Sequence, residues 1–393
     1  MHDSMARYPP PLCHPRTREN VLQMIADWVD ADAPGHTILW LNGPAGAGKS
    51  AIAQTIARTI ADRCKDSRLA ASFFFLRNTP DCGVADRFFL TLAWQLAFSM
   101  PETRPYIESA LKREPLLYTK SIDVQFKQLI VDVFESLFHD EPGQHPKKSL
   151  VIIDGVDECA PEQRQTLLLT LIGNDMLLRK MSLRFLICSR PEPHIQETFN
   201  TETMKTATRA IALDDSFKPD DDIRRFLEDE LICFFRKHRI SPFPPDADID
   251  YLVSMSSGQF IYASIVVKFV VNEDYDPGKQ LDIILKLRPA KSSSPFAQLD
   301  RLYCQILSQQ PDTRFLRDVF VPIIALGQPT IAFICQKLRI SAQANITYIL
   351  HAVIRIQHNP LVIVAMGGVK IVLSVILAVP ALRLVCLCTS HSE

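Results

Sequence analysis

Gly43-Pro44-Ala45-Gly46-Ala47-Gly48-Lys49-Ser50 decides the fold of this 393-residue chain. Two glycines five positions apart, followed by Lys and Ser, form the pattern of a phosphate-binding loop. The apolar residues 38–41 before the loop predict a buried strand, and residues 50–61 after it predict a helix. Because the pattern requires this strand–loop–helix order, we expect the loop to bind phosphate. The alternative is a Gly-rich turn without a ligand.

The chemistry of the loop follows from its residue types. Glycines allow tight bends that turn backbone N–H groups inward into an anion-binding nest. The helix behind the loop adds free N–H groups and the positive end of its dipole. Lys49 is expected to bridge the terminal phosphates and the Ser50 hydroxyl to ligate Mg²⁺. The residues predicted to bind the nucleotide are Gly43, Pro44, Ala45, Gly46, Ala47, Gly48, Lys49, Ser50 and Ala51.

A second segment predicts the other half of the same site. Residues 150–153 are apolar and lead into Asp154. In phosphate-loop NTPases such a strand places its terminal carboxylate beside Mg²⁺, so Ser50 and Asp154 are the predicted metal residues. Glu158 or Asp157, at the mouth of the same strand, would accept a proton from the attacking water or orient it.

Arg190 follows a further predicted strand, residues 183–188. At that position a guanidinium could bind the terminal phosphate through paired hydrogen bonds, so Arg190 is grouped with the predicted catalytic residues. The alternative is a surface arginine before a proline turn.

The order of the predicted elements indicates an α/β fold. Apolar strands at 38–41, 69–75, 149–153, 183–188 and 209–213 alternate with helices, one of them at 17–30 with Thr17 as its N-cap. This alternation favours a parallel sheet covered by helices on both faces. After Asp214 the pattern becomes helical, with helices expected at 220–238, 248–255, 259–271 and 277–287.

The expected domains follow from these elements. They are an irregular segment 1–16, a nucleotide-binding domain 17–214, a helical domain 215–291, a winged-helix-like domain 296–358 and an apolar tail 361–393. The tail has the hydropathy of a membrane helix, but Lys370 and Arg383 interrupt it and Pro380 would kink it. We therefore favour a buried or poorly folded segment over a membrane helix, and an altered reading frame or a retained intron would also produce this change in character.

Composition narrows the class of protein. A net charge of −1 gives no support for nucleic-acid binding, and 47% hydrophobic with 22% charged residues is ordinary for a cored protein. Ten scattered cysteines without metal-ligand spacing indicate reduced thiols in the cytoplasm. The first eleven residues have no apolar core, so we expect no secretory signal.

Three segments together resemble the NACHT NTPases of the STAND class: residues 43–50, 150–159 and 184–193. The likeness is greatest to fungal NOD-like receptor proteins with a nephrocystin-type N-terminal NTPase region. The Asp-Gly-Val-Asp-Glu sequence at 154–158 is the most family-specific part. Segments 13–18, 70–75, 258–263 and 287–289 are similar too, so the resemblance covers residues 13–356.

The resemblance implies a phosphate-loop NTPase sheet of order 5-1-4-3-2, then an all-helical domain and a partial winged helix. It implies a cytoplasmic switch that holds ADP, exchanges it for ATP (or GTP) with Mg²⁺, and then forms a homo-oligomer. By position, Asp154 corresponds to the metal-side acid, Glu158 to the hydrolytic residue and Arg190 to the phosphate sensor. Less directly, residues 16–18 correspond to a segment that approaches the base.

The chain also departs from the family pattern. Gln259 and Phe260 follow Gly258 where related receptors carry Gly-x-Pro, and the winged-helix histidine has no counterpart after Pro360. We expect no effector domain before residue 16 and no sensor repeats at the C-terminus. The two halves of the phosphate site and the helical second half nevertheless favour a slowly hydrolysing nucleotide switch of the innate-immunity or incompatibility type. Alternatives are a nucleotide-binding scaffold without productive hydrolysis, a phosphotransferase, or a DNA-binding winged helix.

Overall fold

The computed structural model describes residues 1–4, 9–31, 35–62, 68–77, 82–140, 148–173, 175–241, 243–272 and 275–287. The chain divides into two compact units, one ending at Phe217 and the other beginning at Lys218. The expected winged helix and the apolar tail lie outside the described residues.

The first unit is built on five parallel strands. They are β1 Ile38–Asn42, β2 Leu69–Phe74, β3 Ser149–Asp154, β4 Leu183–Ser189 and β5 Thr208–Ala212. Their order, β2-β3-β4-β1-β5, is the expected 5-1-4-3-2 order counted from the opposite edge. The expected parallel α/β sheet is therefore confirmed.

Helices cover both faces of this sheet. They are α1 Glu19–Asp30, α2 Lys49–Ala61, α3 Phe88–Ser99, α4 Arg104–Arg113, α5 Ile122–Phe126, α6 Asp132–Asp140, α7 Glu162–Ile172, α8 Asp175–Lys180, α9 Pro193–Phe199 and α10 Glu202–Ala207. Alternate strand residues enter different cores, as Ile153 and Ile187 join one cluster and Ile152 and Leu186 the other. Successive side chains of a strand point to opposite faces of the sheet. Because β1 to β4 are apolar at nearly every position, they are buried on both faces.

One local expectation was wrong. Thr17 does not cap α1, because the helix begins at Glu19 and Arg18 occupies the cap position with a left-handed φ of 57°. The Thr17 hydroxyl instead donates to the carbonyl of His14 at 2.7 Å. Thr side chains compete in this way for nearby backbone groups. Residues 122–140 are helical without a break, and a π-helical turn at Lys127–Val131 lies between α5 and α6.

Strand β2 lies at an edge of the sheet, and a glutamine of α3 covers part of that edge. The Gln95 side-chain oxygen accepts the backbone N–H of Ser72 at 3.0 Å, and its amide nitrogen donates to the Ser72 carbonyl at 3.1 Å. Ser99, one turn further along α3, donates to the Ala70 carbonyl at 2.7 Å. Side chains thus occupy backbone groups that a neighbouring strand would otherwise bind.

Arg184, near the start of β4, is only 4% exposed and reaches the end of α1. Its guanidinium donates to the carbonyl oxygens of Trp28 and Val29, each at 2.6 Å, and of Ala31 at 2.5 Å. The last carbonyls of a helix have no partner within the helix, so this arginine supplies their missing donors.

The described part of the second unit is helical. Its helices are α11 Pro219–Lys237, α12 Asp246–Ser256, α13 Phe260–Val270 and α14 Pro277–Leu285. They pack around one apolar cluster that includes Ile223, Leu227 and Leu231, with Phe226 only partly buried. Within the described residues of the chain, none of the helices combines the length and apolar character needed to cross a membrane.

Candidate functional site

The predicted phosphate loop connects β1 to α2 as expected. Gly48, directly before α2, has a φ of 93°, a left-handed backbone conformation that residues other than glycine rarely adopt. Gly43 needs its lack of a side chain for another reason, because an added Cβ would lie 3.0 Å from the Cβ of Leu213. Ser50 and Ala51 lie in the first turn of α2, which places them at the positive end of the helix.

Lys49 folds back over the loop that precedes it. Its Nζ donates to the carbonyl oxygens of Gly43 and Pro44 at 2.7 and 2.8 Å. Protein atoms surround the ammonium group on most sides, although part of the side chain remains accessible to solvent. This burial lowers the pKa of Lys49, and the nearby Asp157 carboxylate opposes the shift.

Three carboxyl groups meet at the end of β3. Asp154 is the last residue of the strand, and Asp157 and Glu158 belong to the 3-10 turn Val156–Glu158 that follows Gly155. Their exposed fractions are 4, 6 and 8%. The predicted acidic residues are therefore brought together in a nearly dry environment, where charge interactions are strong.

Glu158 has the most perturbed chemistry of this group. Burial raises its pKa to about 8, and repulsion from Asp157 and then Asp154 adds to the shift. A hydrogen bond from the Arg77 backbone N–H to Glu158 Oε2, 3.1 Å long, and the charge of Arg190 oppose the rise in pKa. The raised pKa thus reflects first the loss of hydration of the carboxylate and second the two neighbouring carboxylates.

Arg190 lies beside this acidic turn. Its Nε lies 3.3 Å from Asp157 Oδ2, and its backbone N–H donates to Asp157 Oδ1 at 2.9 Å. The Arg190 side chain is 23% exposed, whereas that of Asp157 is 3% exposed. Both oxygens of Asp157 are thus engaged by Arg190, which leaves Glu158 as the better of the two predicted candidates for contact with a water molecule.

Arg77 belongs to the site but was not predicted. It lies three residues after β2, and its guanidinium donates to the Asp157 carbonyl at 3.1 Å while its backbone N–H binds Glu158. The signal that could have identified it is its position, because the carboxyl ends of parallel strands gather at one edge of a sheet.

Gln165 and His194 were also missed. Gln165 of α7 donates from Nε2 to the carbonyl oxygens of Asp157 and Cys159, at 3.3 and 2.6 Å. Its Oε1 lies 2.7 Å from Nε2 of His194, a residue of α9. Neither residue belongs to a recognisable sequence motif, so their role depends on contacts that only the folded chain shows.

Arg18 of the N-terminal lead-in contacts the loop. Arg18 is 5% exposed and donates from Nη2 to the Ala47 carbonyl at 2.9 Å, whereas Arg16 is exposed. The predicted approach of residues 16–18 to the base stays a prediction.

A family model described as Nephrocystin 3, N-terminal, matches residues 16–190. The chain is similar to that family over this region. The match includes the phosphate loop, the acidic turn and Arg190, and the helices of the second unit lie beyond it. It supports the nephrocystin-type part of the resemblance seen in the sequence. No curated protein matches the chain.

Proposed function

We propose that this chain is a Mg²⁺-dependent nucleoside triphosphatase of the NACHT type, with slow hydrolysis, that works as a nucleotide-dependent switch in signal transduction. The observation that carries the proposal is the meeting of Lys49, the three carboxyl groups and Arg190 at the carboxyl ends of β1, β3 and β4. Ligands of open α/β sheets bind at this edge, and the glycine loop and helix α2 suit an anion there.

The residues present suit Mg²⁺ together with phosphate. In the described part of the chain, no three Asp, Glu, His or Cys side chains form a metal cage by themselves. Mg²⁺ typically takes one or two protein oxygens and completes its shell with phosphate oxygens and water. Ser50 and Asp154 would supply the protein oxygens, and the bound ion would neutralise negative charge on the phosphates.

Three side chains then have separate tasks. Lys49 would exchange the carbonyls of Gly43 and Pro44 for phosphate oxygens, since all are acceptors for its ammonium group. Arg190 would divide its donors between Asp157 and the terminal phosphate. Glu158 would orient the attacking water or take its proton, a task that requires the ionised carboxylate.

The same contacts suggest how a switch would operate. A terminal phosphate attracts Arg190 away from Asp157, whereas a diphosphate does not, so the two nucleotides favour different positions of the Arg190 segment. We expect ADP in the resting state, ATP or GTP in the active state, and a homo-oligomer on activation. Input signals and downstream partners would act through that equilibrium.

A second candidate is a nucleotide-binding scaffold without productive hydrolysis. The raised pKa of Glu158, about 8, favours this candidate because a protonated carboxyl cannot accept a proton at neutral pH. The oligomer size with ADP and with a non-hydrolysable ATP analogue separates the two functions. A change in size supports the switch, and equal sizes support the scaffold.

The deciding experiment is calorimetric titration of the full chain with ATP and with GTP in the presence of Mg²⁺. We expect Lys49→Ala to weaken binding by at least about a hundredfold, because it removes a buried charged hydrogen-bond donor. Glu158→Gln should retain binding and lose turnover. The matched control is Lys237→Ala, an exposed lysine in the last turn of α11. Equal affinity of Lys49→Ala and the unchanged protein would refute the proposal.

A further inference from the structure

Gln165 links two segments of the candidate site that are not adjacent in the chain. Its side chain is 4% exposed and lies behind the acidic turn, where its amide nitrogen holds the carbonyl oxygens of Asp157 and Cys159. These carbonyls lie at the end of a single 3-10 turn and have no continuing helix to supply donors. Gln165 therefore caps the turn that carries Glu158, together with Arg77, which also donates to the Asp157 carbonyl.

The orientation of this amide is determined by chemistry. Two carbonyl oxygens can only accept hydrogen bonds, so the NH₂ group of Gln165 must face them. Its Oε1 then faces Nε2 of His194 at 2.7 Å and can only accept. His194 is consequently the donor, and the hydrogen bond forms with the neutral Nε2–H ring and with the imidazolium ring alike.

His194 is tied in turn to Arg190 by a stiff stretch of chain. Pro191, Glu192 and Pro193 separate the two residues, and each proline fixes its own φ while restricting the residue before it. Glu192 is extended, with φ of −64° and ψ of 147°, and α9 begins at Pro193. The backbone between the two residues can therefore rotate little, and a displacement of His194 also displaces Arg190.

We propose that Gln165 and His194 are positioning residues that couple the acidic turn to the Arg190 segment. The direct contacts between Asp157 and Arg190 form one connection, and the bridge from the turn through Gln165 and His194 to Pro193 forms a second. Two connections restrain rotation as well as separation, so the acidic turn and the Arg190 segment move together rather than independently. The consequence for turnover, though not the coupling itself, rests on the function proposed above.

The first test needs no catalysis. Hydrogen–deuterium exchange is measured by mass spectrometry on the full chain, and the readout is the peptide that contains residues 155–160. His194→Ala breaks the hydrogen bond between His194 and Gln165, so the coupling predicts faster exchange in the turn that Gln165 holds. His194→Gln restores a donor near the position of Nε2 and should return exchange to that of the unchanged protein. The control is His139→Ala, whose side chain is 88% exposed on α6.

The second test separates positioning from mere structural support. With ATP and Mg²⁺, Gln165→Met and His194→Ala should each lower kcat about tenfold while Kd for ATP stays within about twofold, because displacement of catalytic groups by less than 1 Å has effects of this order. The double variant should be no slower than the slower single variant, since both changes break one connection.

Two outcomes overturn the inference: unchanged exchange of the 155–160 peptide in His194→Ala, or a loss of ATP affinity equal to the loss of kcat. Failure of the proposed hydrolysis has a different signature. In that case the unchanged protein releases no phosphate, while the His194→Ala effect on exchange and its reversal in His194→Gln still establish the coupling.

Discussion

Strand β4 carries an arginine near its start and another just past its end, and the two differ in what receives their hydrogen bonds. Arg184 gives its donors to three backbone carbonyls of the α1 end and is almost fully buried. Arg190 contacts a carboxylate and keeps about a quarter of its side chain exposed. The backbone carbonyls at the end of a helix are held in place by the fold. The carboxylate partner of an arginine beside solvent, by contrast, can be replaced by another anion. The first arrangement serves stability and the second leaves room for a ligand.

The largest effect on stability should come from Arg184→Met. This change preserves the apolar stem but removes the buried guanidinium that donates to the Trp28, Val29 and Ala31 carbonyls, so we expect the free energy of unfolding to fall by about 4 kcal/mol. Urea unfolding followed by circular dichroism measures the change. Nucleotide affinity below the unfolding transition should stay the same.

Arg68→Met is the matched control for Arg184→Met. Arg68 reaches the same end of α1, with Nη1 at 3.3 Å from the Val29 carbonyl and 3.1 Å from Asp30 Oδ1, but its side chain is 41% exposed. Exposed pairs contribute less than about 1 kcal/mol. Equal destabilisation by the two variants would contradict the comparison.

A smaller effect, with a characteristic pH dependence, is expected for Glu158→Gln. The folded-state pKa of Glu158 is about 8 and its ordinary pKa is 4.5, so between these values the folded chain holds a proton that the unfolded chain has lost. The stabilising contribution of that proton is present at low pH and is lost as pH rises through about 8. The unchanged protein should lose about 3 kcal/mol of unfolding free energy from this group between pH 5 and pH 8.

In Glu158→Gln that loss should disappear, because glutamine does not titrate. Unfolding is measured from pH 5 to pH 8 with EDTA and without nucleotide. A difference between the two proteins that stays constant over this range would show that Glu158 titrates near its ordinary pKa. Binding of Mg²⁺ should lower the pKa and shift the loss of stability, because a divalent cation favours the ionised carboxylate.

The smallest effect on stability is expected for Arg190→Met. Asp157 keeps the backbone N–H of residue 190 as a donor but loses the guanidinium beside its buried carboxylate, so the unfolding free energy should fall by about 2 kcal/mol. Affinity for a non-hydrolysable ATP analogue should fall about tenfold while affinity for ADP is unchanged. A larger stability loss than in Arg184→Met would reverse the assignment of the two arginines.

The parts of the fold that depend on short-range chemistry could be predicted from the sequence. The glycine loop requires particular backbone angles within eight residues. Each buried strand is a nearly continuous run of apolar residues, which indicates burial without reference to the rest of the chain. The same holds for Asp154, Asp157 and Glu158, whose position after a buried strand places them at its carboxyl end. The structure brings these residues together as the sequence indicated, while their roles remain proposals.

The parts that depend on contacts between distant residues could not be predicted. Arg77 meets Glu158 across 81 positions, and Gln165 meets His194 across 29. Their residue types carry no pattern, and only the parallel arrangement of strands and helices brings them together. The N-cap prediction for α1 failed for a different reason, because Arg18 adopts a left-handed backbone and the helix begins one residue later than the Thr17 cap would require.

The Gln95 amide at β2 also limits how copies of the first unit could join. A strand from another molecule that sought this edge would first have to break two hydrogen bonds already made at Ser72, and it would find the Ala70 carbonyl taken by Ser99. Continuous growth of the sheet into a fibre is thereby opposed at this side. Association at this edge would have to proceed through side-chain surfaces, which separate again more readily than a shared sheet.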